Sequence, residues 1–475
     1  MSASPPAPRT IAELRASDFV SCSLREELRT NLVLRIRSGK PLFAGVMGFD
    51  DSVIPGVQNA ILCGHDLIFL GERGQAKSRM IRALVEMLDE WTPEIAGSEV
   101  RDDPFAPISA FGRKAVAEHG DACEIAWVHR DDRYVEKLAT PDTSIADLIG
   151  DVDPVKVAEG RSLGDEETIH FGLVPRTNRG IFCINELPDL TEKVQVGLFN
   201  VMEERDIQVK GYRVRLPMDV LIVASANPED YTSRGRIITP LKDRYKAQVR
   251  THYPREREHE LAIVHQEAVA PGASDVEVFV PGFMEEIIGA MTFEARLSPD
   301  VNQSSGVSVR MSIANYETLM ASAVLRAVRL GESEAVPRIS DLQALEASTA
   351  GKIELEYAGA ERSEFEVIRE IMQRAVKVVF DEVLPLDGPA LEGIAPVIES
   401  FENGWRVEVS STMPSDEYLA GLDEIAGLRA AAARLAGGES PARLASAIEF
   451  ILEGLHLSNR LNKDEQERGA LYGKA

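Results

Sequence analysis

The 475-residue sequence is poor in cysteine, in aromatic residues and in long apolar runs. Its four cysteines lie far apart, and no paired Cys or His spacing predicts a zinc site. The longest apolar runs, such as 220–224, have the length of a strand and fall far short of the ~20 residues that span a membrane. The N-terminus lacks the basic start and apolar core of a secretory signal. We therefore expect a cytoplasmic protein that does not enter the membrane.

Positive charge is also scarce. The chain has 77 acidic side chains against 52 basic ones, which gives a formal net charge of −25. A surface that follows nucleic-acid phosphates needs clustered Lys and Arg, and a strongly negative field opposes the approach of DNA or RNA. We therefore expect no nucleic-acid partner; the alternative is a local basic channel that forms only in an oligomer. Hydrophobic residues make up 44% of the chain, so its length predicts a folded protein of several domains.

Residues 41–255 predict an α/β fold. Short apolar runs alternate there with amphipathic stretches, which is typical of a parallel sheet with crossover helices. Apolar residues spaced three and four apart predict helices over 81–88 and 194–201. The predicted strands are 67–70, 124–128, 180–184 and 220–224.

Beyond residue 255 the strand patterns fade and helical patterns dominate. An acidic amphipathic stretch at 354–382 predicts a solvated helix face, with a docking surface for a partner as the alternative. We expect four regions: an N-terminal segment (1–40), the α/β core (41–255), a helical lid (256–350) and a mainly helical C-terminal extension (351–475).

The strongest local motif lies between the predicted strand at 67–70 and the helix that follows it. A phosphate-binding loop needs this context, because backbone N–H groups and the helix N-terminus point at the phosphates. Lys77 would reach the β- and γ-phosphates of ATP, and the Ser78 hydroxyl would bind Mg²⁺. Ala76 stands where Gly is usual, and its side chain disfavours a positive φ. The alternative to a phosphate-binding loop is an ordinary polar turn between a strand and a helix. The eight residues of the motif are Gly71, Glu72, Arg73, Gly74, Gln75, Ala76, Lys77 and Ser78.

Polar residues follow two other predicted strands. Asn185 and Glu186 come after the apolar run at 180–184, and Asn227 comes after the run at 220–224. In a phosphate-loop ATPase, an acid pair at such a strand end holds the Mg²⁺ shell and activates the attacking water. Glu186 takes the water-activating position, whereas Asn185 replaces the usual Asp of the metal position and brings no negative charge. Asn227 would orient the water or sense the γ-phosphate. A strand that merely ends in polar residues is the alternative.

Two arginines complete the predicted site. Arg244 lies in the segment Leu-Lys-Asp-Arg-Tyr (241–245), from which it could stabilise charge on the nucleotide of a neighbouring subunit. Arg310 lies in the first turn of a helix that Ser308 is predicted to cap, and it could return to the phosphates from a lid. Considered alone, each is more often a solvated or salt-bridged arginine.

The order of these motifs resembles that of the AAA+ ATPases. In that resemblance, Asn227 is sensor 1, Arg244 is the arginine finger and Arg310 is sensor 2, after a Walker A motif at 71–78 and a Walker B motif at 180–186. The sequence is most similar to the branch that holds the MoxR-type ATPases and the ATPase I subunit of magnesium chelatase.

Four further segments resemble that branch, and the resemblance covers residues 41 to about 330. They are 148–154, 170–180, 198–205 and a predicted hairpin over 209–215 centred on residues 210–211.

The resemblance implies a function that needs ATP and Mg²⁺. It implies a homo-oligomeric motor, a hexameric ring, that remodels a protein partner; a separate protein with a von Willebrand factor A domain is a further implied partner. The motor subunit of a magnesium chelatase is one alternative. A nucleotide-gated scaffold with little hydrolysis is another, because Ala76 and Asn185 depart from the usual motifs. The net charge and the absence of a G-A-F-T-G-A loop disfavour a helicase and an enhancer-dependent transcription activator.

Overall fold

The chain divides into two compact units, Met1–His252 and Tyr253–Ala475. Among the described residues, no helix is long and apolar enough to cross a membrane. The finer division predicted at residues 40 and 350 stays a prediction. The computed structural model describes residues 4–159, 166–209, 212–214, 216–227, 235–272, 275–356, 362–386, 388–422, 425–466 and 469–475.

The N-terminal unit mixes helices and strands. Its helices are α1 (Ile11–Arg15), α2 (Leu24–Arg37), α3 (Val53–Cys63), α4 (Lys77–Ala83), α5 (Ala110–His119), α6 (Ile145–Leu148), α7 (Pro154–Ala158), α8 (Leu173–Arg176), α9 (Glu192–Gly197), α10 (Phe199–Glu203) and α11 (Thr239–Arg244). Its strands are β1 (Leu67–Leu70), β2 (Trp91–Ile95), β3 (Ile125–His129), β4 (Tyr134–Leu138), β5 (Gly150–Val152), β6 (Ile169–Phe171), β7 (Gly180–Asn185), β8 (Ile207–Val209), β9 (Tyr212–Val214), β10 (Val220–Ala226) and β11 (Ala247–Arg250). Short 3₁₀ helices lie at Leu84–Met87, Gly120–Ala122, Arg130–Arg133, Glu166–Thr168 and Leu187–Asp189.

Five strands of this unit form one parallel sheet in the order β11–β1–β10–β7–β4. Successive side chains of a strand point to opposite faces of a sheet. Leu67 and Phe69 therefore pack in one apolar core with Ile81 of α4, and Ile68 and Leu70 pack in a second core. Because all five strands run in the same direction, their carboxyl ends meet at one edge, and the polar residues of the predicted site follow three of those ends. The predicted α/β fold class is confirmed.

The strand predictions are confirmed for β1, β7 and β10. The prediction for 124–128 was wrong in its partner, because β3 pairs antiparallel with β2 in a separate two-stranded sheet. An alternating apolar pattern indicates a strand but does not choose its neighbour. Strands β4 and β11 were not predicted; they occupy the two edges of the parallel sheet and carry charged residues in short runs.

Two helices differ from their predictions. The helix predicted to run through residue 88 ends at Ala83, and a 3₁₀ helix continues the chain. The region 194–201 forms parts of two helices, α9 and α10, that break at Leu198. Antiparallel pairs β5–β6 and β8–β9 lie outside the main sheet. The second pair is the predicted hairpin, and its centre at 210–211 lies outside the described residues.

The C-terminal unit is mainly helical, as predicted. Its helices are α12 (Arg257–Glu267), α13 (Gly282–Leu297), α14 (Val309–Leu330), α15 (Leu345–Thr349), α16 (Glu364–Val383), α17 (Gly388–Glu402), α18 (Ser415–Leu422), α19 (Leu428–Leu435) and α20 (Pro441–Leu457), with a 3₁₀ helix at Ile339–Ala344. Its strands are β12 (Glu277–Val278), β13 (Glu334–Ala335), β14 (Val407–Ser410), β15 (Leu461–Gln466) and β16 (Gly469–Lys474).

One apolar cluster holds this unit together. Phe450 of α20 stacks on Phe283 of α13, with ring centroids 4.5 Å apart, and Phe380 of α16 packs against its edge. Gly454 leaves room for this packing, because a Cβ there would lie 1.9 Å from the Phe380 ring. The antiparallel sheet β14–β16–β15 was not predicted from the sequence.

Candidate functional site

The predicted phosphate loop joins β1 to α4. Gly74 and Ala76 both have a positive φ, +75° and +54°. Ala76 therefore takes the left-handed conformation that usually requires Gly. Gly71 has no room for a side chain, because a Cβ there would lie 1.9 Å from Thr251 Oγ1 and 2.3 Å from Gln75 Oε1. The loop thus follows a tight course that brings its backbone close to the end of β11.

The Lys77 ammonium is buried inside this loop, with 7% of the residue exposed. It donates hydrogen bonds to the carbonyl oxygens of Gly71 and Glu72, the second at 2.7 Å. It also donates to Asn227 Oδ1 at 2.5 Å. The other end of that amide, Asn227 Nδ2, donates to Glu186 Oε2 at 3.0 Å. The fold therefore brings together three of the predicted residues, Lys77, Asn227 and Glu186, in one hydrogen-bonded chain.

The sheet order explains why these residues meet. Strand β10 lies between β1 and β7, so the residue after β10 stands between the loop after β1 and the residue after β7. Glu186 turns away from its strand with a φ of +55°, and its backbone N–H donates to Ser225 Oγ at 3.2 Å. The carboxylate is thereby aimed along the sheet edge towards Asn227.

Asn185, the predicted metal-site residue, has both ends of its amide engaged. Its Oδ1 accepts a hydrogen bond from Ser225 Oγ at 3.1 Å, and its Nδ2 donates to Glu136 Oε1. Glu136 lies on β4, the strand beside β7. Sequence reasoning missed Glu136, because β4 has no continuous apolar run and nothing along the chain links it to the end of β7.

Glu136 is held in a second, ionic contact. Arg82 of α4 donates two hydrogen bonds to its carboxylate, from Nε to Oε2 and from Nη2 to Oε1, both at 2.9 Å. The Tyr134 hydroxyl donates to Oε2 at 3.0 Å. The hydrogen bonds from Arg82 are the main cause that lowers the pKa of Glu136 below its ordinary value. Glu136 is therefore ionised at neutral pH.

A cavity of about 340 Å³ opens beside the phosphate loop. On its wall, Thr251 Oγ1 donates a hydrogen bond to Gln75 Oε1 at 2.7 Å, which fastens the loop to the chain after β11. The cavity is lined by Leu70, Gly71, Glu72, Gln75, Lys242, Arg250 and Thr251. Its position fits a nucleotide whose phosphates lie on the loop.

Arg244 is engaged within its own chain. It ends α11, where its guanidinium lies 4.4 Å from the centroid of the Phe199 ring and forms an ion pair with Glu203. These contacts are the surface ion pair that the sequence left as the alternative, and the role towards a neighbouring subunit stays a prediction. Arg310 belongs to the C-terminal unit, where its backbone N–H donates to Ser308 Oγ at 3.1 Å. The predicted cap at Ser308 is confirmed, and the lid role of Arg310 stays a prediction.

The residues at the strand ends fit Mg²⁺ by chemistry. This hard cation takes oxygen ligands and keeps several waters, with one or two protein side chains and the substrate phosphates completing the shell. Among the residues that the structure describes, no group of three or more His, Cys, Asp or Glu side chains could hold a metal alone. The oxygens on offer are those of Ser78, Asn185 and Glu186, so nucleotide phosphates would have to supply much of the shell.

Known proteins match parts of the chain. A family model described as the Sigma-54 interaction domain matches residues 158–244. The magnesium-chelatase subunit ChlI of Anabaena variabilis is 25% identical over 224 residues, which cover 46% of this chain and 60% of the relative. The magnesium-chelatase 38 kDa subunit of Rhodobacter capsulatus is 25% identical over 237 residues, which cover 47% of this chain and 59% of the relative. A solved complex of magnesium-chelatase subunits BchI and BchD contains a chain that is 19% identical with a TM-score of 0.35; the match covers 69% of this chain and 100% of that chain.

The chain thus spans about 60% of the length of the two curated relatives. The parallel sheet, the phosphate loop after β1 and the polar ends of β7 and β10 are typical of an AAA+ ATPase domain. Within that class, the sequence matches support the branch that includes the magnesium-chelatase I subunits. AAA+ domains in general bind and hydrolyse ATP with Mg²⁺.

Proposed function

We propose that this chain is a Mg²⁺-dependent ATPase that works as an oligomeric motor on a protein partner. The observation that carries the proposal is the hydrogen-bonded chain from Lys77 through Asn227 to Glu186. A phosphate ligand, a sensor and a water-activating acid are the three groups that ATP hydrolysis needs at one place. An ordinary polar turn would not need a buried ammonium with a carboxylate one amide away.

Each residue has a task that follows from its contacts. The Lys77 ammonium would exchange its bonds to the loop carbonyls for bonds to the β- and γ-phosphates. Glu186 would accept a proton from the attacking water. Asn227 would hold the Glu186 carboxylate in place and would itself contact the γ-phosphate. Ser78 and Asn185 would hold Mg²⁺, which supplies positive charge to the phosphates.

The oligomeric part of the proposal rests on Arg244. In the single chain its guanidinium contacts only residues of its own unit among the contacts described, Phe199, Pro240 and Glu203. A neighbouring subunit would offer its nucleotide to this arginine, as the resemblance implies, and the ion pair with the half-exposed Glu203 is weak enough to be replaced. The relatives are named as subunits, which supports a protein partner; a von Willebrand factor A domain protein is the partner that we propose.

The test is steady-state ATP hydrolysis with Mg²⁺ by the purified chain and by Glu186→Gln. Loss of the catalytic base should lower kcat by about 10²–10⁴-fold while ATP still binds. Glu99→Gln is the matched control, because it makes the same change at an exposed carboxylate of the same unit. Light scattering of the same samples should show an ATP-dependent increase in mass to that of a ring. Equal hydrolysis by the wild type and Glu186→Gln would refute the assignment of Glu186.

A nucleotide-gated scaffold is the second candidate, and two observations favour it. Ala76 strains the loop with a φ of +54°, and Asn185 brings no charge to the metal position. Tight ATP binding without turnover by the wild type would support the scaffold. The narrower proposal of a magnesium-chelatase motor is tested by reconstitution with chelatase partner subunits, in which metal insertion into a porphyrin should depend on this chain.

A further inference from the structure

The metal position of this site lacks the carboxylate that its class normally has, yet a carboxylate lies beside it. Asn185 donates its amide hydrogen to Glu136, which belongs to a different strand. We propose that Glu136 supplies the negative charge of the magnesium site, as a positioning residue that acts through Asn185. This inference rests on the proposed ATP-binding function and adds a residue to the same site.

The geometry of the sheet places Glu136 on the correct face. In the parallel pair β4–β7, Glu136 stands opposite Cys183, and Asn185 lies two residues further along on the same face. Cys183 packs in the apolar core to which α4 contributes Met80 and Ile81. Glu136 and Asn185 therefore lie on the face of the sheet that α4 covers, and α4 is the helix that begins with Lys77 and Ser78.

A second contact connects Glu136 to the same helix. Arg82, its ion-pair partner, lies four residues after Ser78, and residues at this spacing occupy one face of a helix. The Ser78 hydroxyl, Arg82, Glu136 and Asn185 thus follow one another along the side of the site where Mg²⁺ is expected. No other part of the proposed function uses Glu136.

The Glu136 carboxylate is the less exposed member of its ion pair. Its side chain is 23% exposed, whereas that of Arg82 is 64% exposed. Because the guanidinium is the solvent-exposed member of this bidentate pair, water can solvate it if an approaching cation displaces it. The carboxylate would stay, because Tyr134 and Asn185 hold it from its own sheet. Groups that orient a metal ligand in this way commonly change metal affinity about 10–100-fold.

The test measures how much Mg²⁺ strengthens nucleotide binding, with a fluorescent ATP analogue titrated in Mg²⁺ and in EDTA. The ratio of the Kd in EDTA to the Kd in Mg²⁺ should fall by about 10-fold in Glu136→Gln, while the Kd in EDTA stays as in the wild type. Arg82→Gln breaks the same ion pair and is the matched control; it should keep or raise the ratio, because it frees the carboxylate.

A charge exchange sharpens the test. Asn185→Asp alone places a carboxylate at residue 185 beside the carboxylate of Glu136. Because the two like charges repel, this variant should not raise the ratio above that of the wild type. The double variant Asn185→Asp with Glu136→Gln restores one carboxylate and one amide in exchanged positions, and it should recover the wild-type ratio within a few-fold. Thermal unfolding of every variant shows whether it is folded.

Three results would overturn the inference. The first is an unchanged ratio in Glu136→Gln, and the second is an equal loss of affinity in Mg²⁺ and in EDTA, which indicates a merely structural role. The third is a double variant no better than Glu136→Gln. If the wild type binds no nucleotide, the proposed function fails together with the inference. The three results above refute the inference alone, so the two failures are distinguishable.

Discussion

Ala76 offers a direct test of the loop geometry, because its backbone conformation is unusual for a residue with a side chain. Its φ is +54° and its ψ is 14°. A left-handed conformation costs about 1–2 kcal/mol in a residue with a Cβ. Ala76→Gly removes that strain but gives the unfolded chain about 0.4–1 kcal/mol of additional conformational entropy. The difference predicts that Ala76→Gly stabilises the unit by about 0.5 kcal/mol.

Ala83 provides the matched control. It ends α4, has a φ of −67°, and packs partly buried against the same apolar core as Ala76. Ala83→Gly makes the same chemical change at a right-handed position, where it should cost about 1 kcal/mol. The two variants should therefore differ by about 1.5 kcal/mol, with opposite signs relative to the wild type.

The assay is thermal unfolding of the two variants and the wild type without nucleotide, followed by calorimetry or circular dichroism. For a unit of this size, Met1–His252, each kcal/mol shifts Tm by about 2–4 °C. The two variants should differ in Tm by about 3–6 °C. If Ala76→Gly lowers Tm as much as Ala83→Gly does, the loop does not hold the left-handed conformation at Ala76, and the reasoning fails.

Three further predictions concern the same unit. Gly71→Ala should weaken binding of a fluorescent ATP analogue, because its Cβ would lie 1.9 Å from Thr251 Oγ1 and 2.3 Å from Gln75 Oε1 and would break the hydrogen bond between them; unchanged binding would contradict the loop geometry. Glu94→Gln should raise Tm at pH 8 but not at pH 4.5, because burial raises the pKa of Glu94 from 4.5 to about 7, so that ionisation in the folded state costs stability as the pH rises through that window. Arg244→Ala should lower ATP turnover about 10³-fold with little change in ATP affinity, whereas Glu203→Gln should leave turnover intact; equal turnover by Arg244→Ala and the wild type would exclude the finger role.

The sequence predicts the centre of the sheet better than its edges, for a physical reason. The central strands β1, β7 and β10 are covered on both faces, so they read as continuous apolar runs. The edge strand β4 carries Glu136 and Lys137 in a run of five residues, and such a run is not distinguishable from a loop by its hydrophobicity. The same limit applies to β11, which ends in Arg250.

The site shows a parallel division. Lys77, Glu186 and Asn227 were predictable, because each follows a strand that the sequence reveals, and parallel strands bring their carboxyl ends together. Their hydrogen bonds to one another needed the strand order as well. The intrachain partner of Arg244, Glu203 on α10, was not predictable, because no spacing rule relates the ends of two short helices.

The two departures from the usual motifs differ in kind once the fold is known. Ala76 is a local departure, because its strain comes from its own methyl group in a left-handed conformation, and a neighbouring side chain cannot relieve it. Asn185 is a departure in charge, and charge acts through space, so a carboxylate on the adjacent strand can offset it. A comparison of motifs along the chain counts both substitutions as losses. In the fold, the carboxylate of Glu136 lies beside Asn185, whereas no such neighbour offsets the backbone strain at Ala76. In the function proposed for this chain, Mg²⁺ binding with ATP therefore depends on an edge strand, β4, that no motif in the sequence includes.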